Sequence, residues 1–166
     1  MALFELKPLS KEAVGRALEK AERYRLLSEP GEAESICLDV LRVDPENQQA
    51  LITLLLARTD EFEEMPGELA RAQEVVPRLK GDYEQAYYAG IIHERKARAQ
   101  LKRTGPGVEA VAQGGFRRAM SLYEKAEGLR PPGNDDALLR WNACARLLER
   151  LPPVDSAVEE YEAPLE

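Results

Sequence analysis

An all-α fold is what this sequence predicts, and three observations carry the prediction. Ala, Leu, Glu and Arg dominate while aromatics make up only 6% of the 166 residues, a balance that favours helix over sheet. The apolar period stays helical along the chain, with no convincing run of alternating β-branched residues. One interval also occurs twice. Pro45 stands twelve positions after Ala33 with Cys37 and Val40 between them, and Pro131 twelve positions after Ala119 with Tyr123 and Ala126 between them. A small residue, three spacers, a bulky residue and a proline past the helix end describe one kind of packed helix used two times over.

The elements follow in order. Ser10 is a capping residue, and Ala13, Val14, Ala17, Leu18, Ala21 and Tyr24 continue from it at three-and-four spacing, so a first helix starts there. The stretch from Ser28 to Gly31 breaks it, and Pro30 suits the first turn of a second helix, where its missing N–H is not needed. That helix runs to about Val43. A third, from about Glu46 to Thr59, is apolar nearly all round, which implies neighbours on both sides. After the acidic stretch around Glu61, Glu63 and Glu64, a fourth helix begins near Glu68 and meets Pro77, which makes it short or bent. Ala70 is its expected small packing residue.

The fifth helix, Asp82 to about Lys102, carries Ala86, Ala89, Gly90, His93 and Ala97 as its close-packing face. Gly105, Gly107, Gly114 and Gly115 then suggest a flexible insertion over 104–115 before a sixth helix that reaches Gly128. Pro131, Pro132 and Gly133 end it, and Asn134 or Asp135 caps a seventh helix through Leu151. The tail beyond has carboxylates and prolines without a base, and is expected to be loosely held.

Composition narrows the function. Twenty-three basic against 30 acidic residues give a net charge of −7, which argues against a dedicated nucleic-acid or anionic-membrane binder. No stretch approaches the roughly 20 apolar residues of a membrane span, and the N-terminal apolar residues are too few for a signal peptide. Cys37 and Cys144 stand far apart at apolar helix positions and read as buried free thiols, consistent with a reducing compartment. A cytoplasmic location is the expectation.

The pairing of helices, with Ala21 and Tyr24 in one member and Ala33 and Cys37 in the next, resembles the tetratricopeptide repeat of about 34 residues. The resemblance divides a single domain over 1–151 into repeats at 10–45, 46–80 and 82–131 with a capping helix at 134–151, followed by an acidic tail at 152–166. It is specific for the first and third repeats and degenerate in the second. It implies a right-handed α-α superhelix, a solenoid of three helical pairs plus the cap, whose first helices line a concave groove for an extended peptide or a partner's helix. Carried over position by position, the groove would consist of Leu18, Glu22 and Arg25 from the first repeat and Gln49, Ile52 and Leu56 from the second. Tyr87, Ile91, Glu94 and Arg98 would come from the third, and Leu138, Asn142 and Arg146 from the cap. Members that clamp a terminal carboxylate use lysine and asparagine where this chain has Leu18 and Glu22, which argues against that mode.

Residues of catalytic type are sparse. His93 is the only histidine, stands where the repeat prefers tyrosine, and reads as a packed interhelical residue. Both cysteines read as core, the glycines match no nucleotide-binding fingerprint, and no cofactor or metal is expected. Glu61, Glu63 and Glu64 lack the spacing of a calcium loop and read as a solvated acidic turn. Trp141 reads as a residue that seals the core. The concentrated basic region, Arg95, Lys96, Arg98, Lys102 and Arg103 with Arg117 and Arg118, reads first as a solvated face with Glu94 and Arg98 paired at i,i+4. Its sharper reading is a docking patch for an acidic protein segment, the tail with Asp155, Glu159, Glu160 and Glu162 among them, so that self-association through the tail follows as an expectation. The function expected is a non-enzymatic adaptor that binds a peptide or partner segment. The alternatives are a helical accessory subunit, a small-molecule-binding or enzymatic helical domain, and a secretion-type chaperone.

Overall fold

The computed structural model describes residues 2–65 and 67–154, and among these every regular element is a helix and none is a strand. The seven α-helices are α1 (Val14–Leu26), α2 (Pro30–Val43), α3 (Gln48–Asp60), α4 (Glu68–Gln73), α5 (Asp82–Leu101), α6 (Val108–Leu129) and α7 (Asp136–Arg150). Their contacts gather into two compact units, Met1–Lys80 and Gly81–Glu166, a division that the reading of 1–151 as one domain does not draw. The tail's Asp155, Glu159, Glu160 and Glu162 lie outside the described residues.

In the first unit, Lys11–Ala13 form a short 3-10 turn and α1 begins only at Val14; Ser10 precedes the turn without a side-chain capping bond. The end of α1 is specified by backbone bonds. Ser28 N–H donates to Arg25 C=O at 3.0 Å and Glu29 N–H to Tyr24 C=O at 2.9 Å, the double closure of a Schellman cap. Ser28 occupies the left-handed position with φ 60°, where a Cβ is strained. The Ser28→Gly variant is therefore expected to be more stable by about 0.5–1 kcal/mol in urea unfolding. Pro30 then occupies the first turn of α2, as its fixed φ favours.

Asn47 caps α3, its Oδ1 accepting from Ala50 N–H at 2.9 Å. α3 packs on α1, α2 and α4, which explains why it can be apolar on most of its surface. α4 has six residues and gives way to a 3-10 turn around Pro77. Ala72, not Ala70, is its buried small residue, and Val75 and Leu79 are buried just beyond it. The short helix thus places its buried small residue two positions beyond Ala70 and 39 positions after Ala33.

In the second unit, α5 and α6 lie antiparallel. Gly90 faces Tyr123, and Ala97 faces Gly115, so residue numbers rise along one helix as they fall along the other. The connection is shorter than expected, because α6 begins at Val108 and runs through Gly114 and Gly115. Gly115 belongs there for a packing reason, since an added Cβ would lie 3.0 Å from the Ala97 Cβ. Gly105 and Gly107 do supply turn geometry, with φ 136° and 77°. α7 packs on α6, and its first turn is capped by Asn134, whose Oδ1 accepts from Asp136 N–H at 3.1 Å.

The repeated pattern is buried in both units. Ala33, Cys37 and Val40 in α2, and Ala119, Tyr123 and Ala126 in α6, are each 0% exposed. Phe116 and Tyr123 are the largest fully buried side chains, and burying one such side chain is worth roughly 1.5–3 kcal/mol.

Candidate functional site

Two surfaces collect the residues expected to form a groove, one in each unit. In the first unit the partner elements are α1 and α3. Gln49 Nε2 donates to Glu22 Oε1 at 3.3 Å, and Arg25 grips Asp60 with Nε–Oδ2 at 2.9 Å and Nη2–Oδ1 at 3.3 Å. Glu22 and Gln49 are exposed, while Arg25, Ile52 and Leu56 are half-buried. Leu18 is part of the core at 3% exposure. Arg25 is already held by a carboxylate, so a ligand would have to compete for it.

In the second unit α5 meets both α6 and α7 through one buried carboxylate. Glu94 is 0% exposed. Its Oε1 accepts from Tyr123 Oη at 3.0 Å and from Arg140 Nε at 3.1 Å, and the Cys144 thiol lies 3.5 Å away. Its Oε2 accepts from Arg98 Nε at 2.9 Å and from the Arg140 Nη2. Burial alone would push this carboxyl up; hydrogen bonds from Arg98 and Arg140, with their charges, outweigh it and hold the group below the usual range. The same anion works in reverse on its neighbours. Burial, then the Glu94 charge, pushes the Cys144 thiol up to about 12, and burial raises Cys37 to about 12 as well. Both shifts disfavour the thiolate, the form in which a cysteine is nucleophilic.

This hub corrects the role given to Glu94, since a fully buried carboxylate offers a peptide no surface. Ile91 is also core at 6%. Arg98 is drawn inward to Glu94 and sits over the Phe116 ring at 5.9 Å. Tyr87 stays half-buried and stacks with Tyr83, centroids 5.8 Å apart, in an aromatic group that includes Tyr88 and Tyr123. On α7, Leu138 and Asn142 are half-buried and Arg146 is exposed, forming a stripe at i,i+4. Arg140, which the sequence reading passes over, is the residue that ties α7 to Glu94. One signal was available: Glu94 stands four residues after Gly90 and three before Ala97, inside the small-residue stripe of α5.

The basic region divides by depth. Arg95 is half-buried, while Lys96, Lys102, Arg103, Arg117 and Arg118 lie nearer the surface. Arg118 reaches across from α6 and donates its Nε–H to His93 Nε2 at 3.3 Å. Burial, then the charges of Arg118 and Lys96, hold the His93 imidazole below its ordinary value. Those two named charges are both positive, so this patch suits an anionic group. Trp141 does not seal the core; it is half-buried at the edge of α7 and donates Nε1–H to Glu124 at 3.0 Å. Glu63 and Glu64 are exposed as a solvated turn requires, but Glu61 is half-buried. Among the described residues, no helix is long and apolar enough to cross a membrane. Comparison with protein-family models, with curated proteins and with solved structures gives no match.

Proposed function

We propose that the chain is a non-enzymatic binding module of the tetratricopeptide kind that takes an acidic protein segment on the patch formed by His93, Lys96 and Arg118. The repeat reading is supported by α2 and α6, the second members of the pairs α1–α2 and α5–α6, whose matching small and bulky positions are all fully buried; the superhelical path such repeats imply is part of the proposal. The observation that carries the binding site is the approach of Arg118, whose Nε–H donates to His93 Nε2 at 3.3 Å, next to the exposed Lys96. The chain's own tail, outside the described residues, is one acidic segment of the right sign. Charges of this exposed kind contribute only about 0.2–1 kcal/mol each, so affinity is modest, on the order of micromolar. Buried free thiols at Cys37 and Cys144 fit a reducing, cytoplasmic setting.

His93 is the only histidine and makes the test direct. An anion bound beside the ring favours the imidazolium, so the His93 pKa rises. Proton NMR is expected to show a higher His93 pKa when a peptide spanning 155–166 is added to a chain ending at Val154. The Lys96→Glu, Arg118→Glu variant is expected to abolish the rise. A His93 titration unmoved by millimolar peptide, and equally unmoved by polyglutamate, sinks the proposal.

A further inference from the structure

Three carboxylates from different elements meet in the first unit. Glu34 comes from α2, Glu61 from the end of α3 and Glu68 from the first residue of α4, and one oxygen from each lies within 4.8 Å of the others. Two guanidiniums attend them. Arg71 bridges Glu34 and Glu68, with Nη2–Oε1 and Nη1–Oε1 both at 2.7 Å, and Arg58 Nε reaches Glu34 Oε1 at 3.4 Å. Three carboxylates against two guanidiniums leave one negative charge over.

A separate observation says that one oxygen of the cluster lacks a partner. Glu68 is only 3% exposed, and its Oε2 is the buried side-chain oxygen without a hydrogen-bond partner among the described residues. Leaving such an oxygen unmatched in the interior is expensive, the more so when it carries charge. Arg71 does not reach it, being engaged through Oε1. Glu61 cannot donate to it while ionised. A cation would supply what is missing.

We propose that Glu34, Glu61 and Glu68 form a site for a calcium ion, with Glu68 Oε2 as its most buried ligand. Calcium bonds to oxygen run about 2.3–2.6 Å, so two ligands on opposite sides of the ion stand roughly 4.6–5.2 Å apart, which accommodates oxygens spread within 4.8 Å. Magnesium, with bonds near 2.0–2.1 Å and a demand for regular octahedral geometry, requires the three side chains to draw closer. Water fills the remaining positions on the open side, where Glu61 is half-buried and Arg71 is exposed. The site differs from a calcium loop in drawing its ligands from three separate helices, so no local spacing announces it.

The experiment is calcium titration of the full chain by calorimetry, paired with thermal unfolding in calcium and in magnesium. One-to-one calcium binding and a calcium-dependent rise in Tm are expected, with a smaller rise in magnesium. Glu68→Gln and, in case that variant folds poorly, the more accessible Glu61→Gln are each expected to weaken binding by about tenfold or more. They should also suppress the calcium-dependent rise in Tm. No binding heat and no Tm shift at millimolar calcium overturns the site, and so does a shift that persists unchanged in the variants.

Discussion

Glu94→Ala is expected to destabilise the second unit by about 3 kcal/mol, near the lower end of the range for breaking a buried charge pair. The lower end applies because the side chains of Arg98 and Arg140 are 38% and 34% exposed and can recover water. What cannot be recovered is the acceptor for the fully buried Tyr123 hydroxyl. Urea unfolding followed by fluorescence of the single tryptophan, Trp141 in α7, measures the loss. The double variant Glu94→Leu, Arg140→Met is expected to recover most of it, since a charge and its partner are removed at once.

The alanine variant also has a pH signature. Hydrogen bonds and charge hold the folded Glu94 carboxyl below its usual range against the opposing effect of burial. A depressed folded pKa means stability that is present above the unfolded pKa and lost as pH falls through the folded one. The gap between wild type and Glu94→Ala is therefore expected to be full at neutral pH and to shrink below about pH 4. A gap that stays constant into acid would show that Glu94 stabilises the unit by packing and not by charge.

Gly90→Ala carries the second large effect. An added Cβ would stand 2.6 Å from Tyr123 Cε1 and 2.8 Å from Cδ1. Tyr123 is 0% exposed and its hydroxyl is fixed on Glu94, so the ring has nowhere to retreat without loosening the hub. Overpacking of this kind costs about 1–3 kcal/mol, and the alanine's better helix propensity returns at most ~1 kcal/mol. A net loss of about 1–2 kcal/mol is expected. Gly114→Ala is the control, because Gly114 is helical and exposed with nothing within 4 Å of the added atom. There only propensity acts, and a gain of about 0.5–1 kcal/mol is expected. Equal effects at the two glycines would refute the close approach of α5 to α6 at Gly90.

Helical period and end signals determine a great deal of this fold locally. The all-α class, the seven α-helices, the short α4 before Pro77 and the buried positions Ala33, Cys37, Val40, Ala119, Tyr123 and Ala126 are all legible in the chain. They are legible because apolar spacing, proline and capping residues act over one or two turns, within the reach of a local pattern. The tertiary structure decided the rest. Gly114 and Gly115 read as a break because glycine disfavours helix, yet α6 continues through them, with Gly115 against Ala97. Glu94 read as a surface partner of Arg98, and only the approach of Arg140 and Tyr123 from α7 and α6 shows it to be the centre of the second unit. Glu34, Glu61 and Glu68 became neighbours only when three helices met. The physical reason is common to all three: a charged or small residue takes its meaning from groups distant in sequence, and local periodicity carries no record of which helix will pack against it.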